Sequence, residues 1–242
     1  MTDETSASTA TGIDPVERED LDGEALDHTR AERPSGLSWP KVIATVAAFC
    51  WLAGAIGWVI GQRDSNPSRD SVEAGFYQDM IVHHEQARTM ALMELERGSD
   101  PTVLAFAQEI IIFQQYEIGL MDQSLAGWGQ GRVDRQADAM SWMGMSVNPD
   151  RMPGMASPEQ LDEFNGLSGA EADAKFLELM SEHHRGGVHM ASFARQNASD
   201  PGVRRLAARM ERNQAVEVNE YAQTAERLGF DVDIELMDVP DL

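Results

Sequence analysis

The sequence is poor in cysteine, in basic residues and in aromatic side chains, and each shortage excludes a class of protein. Cys50 is the only cysteine among 242 residues, which rules out an internal disulfide framework, a cysteine-based zinc site and an iron–sulfur cluster. Lys and Arg number 19 against 41 Asp and Glu, a formal net charge of −22. This charge repels phosphate backbones and speaks against nucleic acid as a partner.

Motifs of several enzyme classes are missing too. The sequence shows no glycine-rich loop that could bind phosphate and no motif that pairs a serine or cysteine nucleophile with a base, as in hydrolases. It also shows no pair of carboxylates spaced as in a glycosidase. Aromatic residues make up only 7 % of the chain, whereas hydrophobic residues make up 42 %, which is enough for a core. With few β-branched runs, this composition favours helices.

The first 61 residues divide into a polar tail and an apolar segment. Residues 1–41 are rich in Ser, Thr, Asp and Glu and are predicted to be a disordered acidic tail, because they cannot bury enough apolar surface to fold. Residues 42–61 carry no charge and are long enough to cross a bilayer core. A cleaved signal peptide is the alternative. The long acidic lead-in and the lack of a small-x-small cleavage site favour an uncleaved transmembrane signal anchor.

Basic residues beside the apolar segment predict its orientation. Arg30, Arg33 and Lys41 precede it, and Arg63 and Arg69 follow it. The excess on the N-terminal side places the tail in the cytoplasm and residues 62–242 outside. The outer part then has no thiol, which suits an oxidising compartment.

The outer part contains an internal repeat at an offset of 100 residues. Residues 76–84 (FYQDMIVHH) align with residues 176–184 (FLELMSEHH), and the register continues without a gap to Gly129 and Gly229. Ungapped identity over this length is far above chance and indicates two copies of one unit.

Each copy is predicted to form a helical hairpin. Asp100 and Asp200, each followed by Pro, are expected to cap the second helices. The first helices begin near Ser71 and near Ser168, where Ser168 and Glu171 fit a capping box. The expected helices span about 71–97, 101–127, 169–197 and 201–228. Together they predict an all-α four-helix bundle. Repeat one is 70–129, a Met-rich connection is 130–168, repeat two is 169–229 and an acidic tail is 230–242.

The histidines and methionines kept in both copies fall on one arc of each first helix, about a third of its circumference at 100° per residue. The second helices direct Gln and Glu side chains inward in the same way. The candidate metal ligands are His83, His84, His183, His184, Met80, Met90, Met180 and Met190. The residues expected to orient them are Gln114, Glu117, Met121, Gln214, Glu217 and Tyr221.

Two interpretations of this arc compete. The histidines could simply donate to Glu117 and Glu217 while the methionines fill the core; adjacent His pairs beside Met, repeated twice, favour a metal site instead. Imidazole and thioether without thiolate suit copper, and Met favours Cu(I). Zinc would leave the methionines unexplained. A di-iron site needs about four inward Glu, so iron is disfavoured.

The role of the Met-rich connection stays open at this point. It carries five methionines between residues 140 and 155. A flexible Cu(I) acceptor loop and a cover over the apolar end of the bundle fit this composition equally well.

The motif Met80-x-x-His83-His84-x₅-Met90-Ala91, with its second copy at residues 180–191, resembles the double-histidine domain of exported bacterial proteins catalogued as domain of unknown function 305. The resemblance covers residues 70–229. It implies a ferritin-like bundle and an envelope location, and some relatives are periplasmic copper-binding proteins. Tyr221 stands where the family pattern has Met, which argues against two equivalent half-sites.

The sequence therefore predicts a single-pass protein of the bacterial cytoplasmic membrane whose outer bundle sequesters or hands over copper without catalysis. Two alternatives stay open: a redox-active metal enzyme of the envelope, and a non-catalytic accessory subunit with an envelope protein or a second copy as partner.

Overall fold

The computed structural model describes residues 36, 38–132 and 139–241. The first helix, α1, is Trp39–Ser65. Its stretch Trp39–Gly61 is long and apolar enough to span a membrane, and in the described ranges it is the one helix of that kind. It begins three residues before the predicted boundary, because Pro40 is tolerated in a first helical turn. Residues 1–35 and 37 of the predicted disordered tail lie outside the described residues.

Four long helices form the all-helical bundle that the sequence predicts. Helix α2 packs on α3, α5 packs on α6, and the two hairpins meet through α2 and α5. A short helix, α4, lies in the connection between the hairpins and contacts α2 and α5. The bounds are α2 Val72–Arg97, α3 Pro101–Gly127, α4 Pro158–Gly166, α5 Ala170–Asn197 and α6 Pro201–Leu228. The ferritin-like assignment and the repeat stay predictions.

Most helix starts follow the predicted caps. The Ser71 side chain accepts from the Ala74 amide, and Asp100 and Asp200 each accept from two backbone amides of their helices. The predicted cap at Ser168 is wrong: Gly169 precedes α5, with φ 62° and no side-chain cap. The Gly169 amide donates to the Arg97 carbonyl at 2.7 Å, which turns the chain before the helix begins.

The two hairpins also cap each other. The Glu73 carboxylate on α2 accepts from the amides of Ser199 and Asp200 in the second hairpin's turn. Asp173 on α5 accepts from the Ser99 and Asp100 amides in the first hairpin's turn. Both acids are buried. The paired contacts lie at an offset of 100 residues, so they fix the hairpins against each other in the same way at both ends.

The Met-rich connection is folded against α2. Asp79, buried on α2, accepts from the Met140 amide and from Trp142 Nε1, each at 2.7 Å. Met140 and Met152 are buried, whereas Met145 is exposed. These positions favour the covering role over a flexible loop for the buried methionines.

The predicted acidic tail is not loosely packed. Phe230, Val232 and Ile234 pack on the apolar core. Asn219 of α6 exchanges two hydrogen bonds with the backbone of Met237. The tail is thus held on the bundle by both apolar and polar contacts.

Asp79→Asn is expected to lower the melting temperature by about 3–6 °C, the equivalent of about 1–2 kcal/mol. Both donors bind the same oxygen, Oδ2, so the asparagine oxygen can still accept from both, but the negative charge that strengthens the two hydrogen bonds is lost. Thermal unfolding of the full chain in detergent measures the change, with exposed Asp162→Asn as the control. A melting temperature equal to that of the control would contradict this anchoring role.

Candidate metal centre

Helices α2 and α5 bring the four predicted histidines together in one buried layer. His83 is 1 % exposed, and His84, His183 and His184 are fully buried. The ring centroids of His83 and His183 are 3.8 Å apart, and those of His183 and His184 are 6.2 Å apart. The inward arc predicted from 100° per residue therefore places imidazoles of both hairpins in contact.

His83 and His84 are each held through one ring nitrogen. His83 Nε2 donates to the Pro153 carbonyl at 3.0 Å, and His84 Nε2 donates to Glu117 Oε2 at 2.9 Å. A proton on Nε2 leaves Nδ1 with its lone pair. His84 Nδ1 is buried and has no hydrogen-bond partner, so it is available to a metal ion.

His184 is oriented from both hairpins. Gln114 of α3 contacts His184 Nε2 at 3.1 Å, Glu217 Oε2 of α6 lies 3.3 Å from Nδ1, and the Tyr221 ring stacks at 5.7 Å. Four of the six residues predicted to orient the ligands thus touch a histidine. Gln214 instead fills the space beside Gly187, where a Cβ would lie 2.1 Å from Gln214 Oε1.

Unpaired polar atoms are concentrated in this layer. His183, whose ring lies near those of both His83 and His184, makes no well-formed hydrogen bond on either nitrogen among the described residues, although the His83 backbone lies close to it. Buried polar atoms normally find a partner, because burial without one costs about 1–3 kcal/mol. Six buried atoms of the layer make no hydrogen bond to any residue that the structure describes: His84 Nδ1, His183 Nδ1, His183 Nε2, His184 Nδ1, Gln114 Oε1 and Gln214 Oε1. Of these, His184 Nδ1 still lies 3.3 Å from the Glu217 carboxyl.

Burial keeps three of the imidazoles, those of His83, His183 and His184, neutral. It lowers the pKa of His83 and of His184 to about 3, and that of His183 well below its usual range. Burial and the Glu117 charge raise the pKa of Glu217 to about 8. Neutral imidazoles keep the lone pairs that a metal ion needs.

The four predicted methionine ligands are fully buried but do not share one cluster. Met80 and Met190 belong to one apolar cluster, which also contains Met121. Met90 and Met180 belong to the other. The structure therefore pairs one methionine of each hairpin in each cluster.

Two further features of the layer were not foreseen from the sequence. The turn at Pro153 and Gly154 crosses the layer so closely that a Cβ on Gly186 would lie 1.9 Å from the Pro153 carbonyl oxygen. Between α3 and α6, a cleft of about 120 Å³ is lined by residues that contact the histidines, including Gln114, Glu117 and Glu217. The glycines at 154 and 186 were the only local signal for the close crossing.

The histidine layer does not contain a preformed metal site of three or more His, Cys, Asp or Glu ligands among the described residues. Within residues 36–132 and 139–241, no three His, Cys, Asp or Glu side chains are grouped to hold one ion. A bound ion would therefore need imidazole nitrogens completed by thioether sulfur or by a small movement of side chains. Soft, low-coordinate Cu(I) fits such a donor set better than zinc.

The fold and the site together define an all-helical bundle protein with paired histidines buried between two hairpins. The sequence profile of the family described as "Domain of unknown function (DUF305)" matches residues 73–225, and the chain belongs to this family.

Solved structures of the same family resemble the chain. A DUF305 protein from Streptomyces coelicolor is 34 % identical, covering 69 % of this chain and 100 % of that one, with a TM-score of 0.64. A DUF305 fragment from Deinococcus radiodurans is 30 % identical, covering 64 % and 96 %, with a TM-score of 0.55. CopM in its Cu(I)-bound form is 25 % identical, covering 65 % and 97 %, with a TM-score of 0.48. No curated protein matches the chain.

Proposed function

We propose that this protein binds copper, as Cu(I), in the histidine layer and sequesters it or hands it over outside the cytoplasm. His83, His84, His183 and His184 would supply imidazole nitrogens. Met80 with Met190, or Met90 with Met180, would supply thioether sulfur, and Glu117 and Glu217 would orient the rings.

The observation that carries the proposal is the unpaired His183 ring. It is fully buried, lies 3.8 Å from the His83 ring, and has two nitrogens without a hydrogen-bond partner. An interior that keeps a neutral imidazole without a partner loses stability unless a bound group uses the lone pair. A metal ion is such a group.

The donor types favour copper over other metals. The four histidines offer imidazole nitrogen and the two apolar clusters offer thioether sulfur, but none of these described residues offers a thiolate, because Cys50 lies on the exposed α1. Thioether ligands select Cu(I). Oxygen-preferring ions would lack clustered carboxylates, since Glu117 and Glu217 already contact histidines.

The cleft between α3 and α6 supports an entry route. Its carboxylates, Glu117 and Glu217, are partly exposed and touch the buried rings directly. In a chain of net charge −22, the Glu117 carboxylate at the mouth raises the local concentration of cations. Helix α1 would hold the bundle at the membrane in this function, with residues 62–242 outside and the tail in the cytoplasm.

Titration of the full chain in detergent with Cu(I), under reducing conditions, tests the proposal. We expect Cu(I) to bind tighter than micromolar and tighter than Zn(II). One of the pair variants, Met80→Leu with Met190→Leu or Met90→Leu with Met180→Leu, should weaken Cu(I) binding about tenfold, because leucine keeps the volume and removes the sulfur.

Met93→Leu, a partly buried methionine of α2 outside the candidate set, is the matched control and should bind Cu(I) like the unmodified chain. Failure of the chain to bind Cu(I) tighter than micromolar would refute the function. Two unaffected pair variants would remove the methionines from the ligand set.

A further inference from the structure

A second cleft lies at the end of the bundle where α2 and α6 begin, away from the histidine layer. Its volume is about 570 Å³. Tyr77 of α2, Leu120 of α3 and Leu206 of α6 give it apolar walls, and Arg205 and Arg209 of α6 give it two positive charges. Both arginines are exposed, whereas Tyr77 is buried.

The charge of this cleft is opposite to that of the chain. The cleft lining contains no carboxylate, although the chain carries 41 acidic residues. Other arginines of the bundle are used internally: Arg132, Arg185 and Arg195 each contact carboxylates.

Arg205 and Arg209 have no hydrogen bond or ion pair within the described part of the chain. The nearby acids are Glu73 and Asp200, and both accept from backbone amides at the start of α6. These carboxylates keep their negative charge, but neither forms an ion pair with Arg205 or Arg209 in the described residues, so the guanidinium groups keep their donors for a ligand in the cleft.

A short linker joins α1 to the start of α2, the end of the bundle that carries the cleft. Residues 66–71, six in number, join Ser65 to Val72. Six extended residues reach about 20 Å at most. If α1 lies in a bilayer, the start of α2 and the cleft beside Tyr77 are within reach of the lipid headgroups.

We propose that this cleft binds the phosphate headgroup of an anionic phospholipid. Arg205 and Arg209 would hold the phosphate, since guanidinium groups bind phosphate oxygens in pairs. The Tyr77 ring, Leu120 and Leu206 would contact the glycerol and the first methylenes. A zwitterionic choline headgroup would bring a cation towards two arginines and is disfavoured. Binding of a membrane lipid in this cleft rests on the proposed function, in which α1 anchors the protein in the membrane.

Binding of short-chain dihexanoyl phosphatidylglycerol to the full chain in detergent, measured by calorimetry, tests the cleft directly. Arg205→Gln combined with Arg209→Gln should weaken this binding about 30-fold. An arginine near an anionic lipid contributes about one kcal/mol, and the loss of two such contributions corresponds to this factor. Dihexanoyl phosphatidylcholine should bind the unmodified chain as weakly as phosphatidylglycerol binds the double variant.

Arg151→Gln combined with Arg227→Gln is the matched control, because it makes the same change in net charge at exposed arginines outside the cleft. It should keep the affinity for phosphatidylglycerol. Equal binding of the two lipids, an unaffected Arg205/Arg209 double variant, or inorganic phosphate binding as tightly as the lipid would each overturn the proposal. Release of the chain from membranes by carbonate would overturn the anchor alone, while retained phosphatidylglycerol binding would still support the cleft.

Discussion

His183→Leu is expected to raise the melting temperature of the metal-free protein by about 2–6 °C while weakening Cu(I) binding at least about 100-fold. Both nitrogens of this fully buried ring lack a partner, and replacing an unpaired buried polar group with an apolar one of similar volume removes its burial cost, about 1–3 kcal/mol. For a domain of this size, that energy corresponds to several degrees. The same substitution removes the most available nitrogen of the candidate site.

The opposite signs make the experiment informative. Thermal unfolding without metal and Cu(I) titration are measured on the same preparations of the full chain. His189→Leu is the control, because His189 lies on the same helix but is exposed, and neither measurement should change. A His183→Leu variant that is less stable than the unmodified protein would show that the ring already has partners, and unchanged copper binding would exclude it as a ligand.

Helix positions were predictable because their signals are local. The caps at Ser71, Asp100 and Asp200 and the arcs at 100° per residue depend on neighbours within a few residues, and the bounds of the four long helices agree with prediction to within a residue. Ser168 failed for a non-local reason: the Gly169 amide is taken by the Arg97 carbonyl of the other hairpin. A capping box could not form where the chain turns at a positive φ.

The candidate site was predictable in membership but not in arrangement. Periodicity placed the four histidines inward, and the aligned Glu117 and Glu217 indicated their partners. Periodicity within one helix cannot show that Pro153 would accept from His83, since 70 residues separate them. It also cannot show which methionines of different helices share a cluster.

The acids that cap the opposite hairpin could have been found by aligning the two copies, but not by helical periodicity. Glu73 and Asp173 are acids at equivalent positions of the two copies, and each accepts from the turn of the other hairpin. Alignment at an offset of 100 could have marked them, but neither belongs to the histidine arc. The contact depends on how α2 and α5 meet, which only the assembled bundle defines.

Glu94→Gln is expected to remove the part of the loss of stability between pH 5 and pH 8 that comes from Glu94. Glu94 is fully buried beside Asp173, with no matching acid in the second hairpin, where Ala194 stands. Burial, and then the neighbouring Asp173 carboxylate, raise the pKa of Glu94 from 4.5 to about 9. Between these values the folded protein binds one proton that the unfolded chain does not.

The sign follows from this proton. The contribution of Glu94 to stability is greatest below the unfolded pKa of about 4.5, where both states are protonated, and falls as the pH rises towards the folded pKa of about 9. At pH 8 the loss is roughly 4–5 kcal/mol, from about 1.36 kcal/mol for each pH unit above 4.5. Glutamine keeps the neutral shape of the protonated acid and does not titrate, so the Glu94→Gln protein should overtake the unmodified one as the pH increases.

Urea unfolding of the full chain in detergent at a series of pH values measures the effect as a difference between the two proteins, which cancels the contribution of other groups such as Glu217. Exposed Glu96→Gln, two residues along α2, is the control and should follow the unmodified protein at every pH. Parallel curves for Glu94→Gln and the unmodified chain would mean that Glu94 is ionised in the fold. Its carboxylate, buried beside Asp173, would then need a cation or a donor that the contacts of α2 and α5 do not supply.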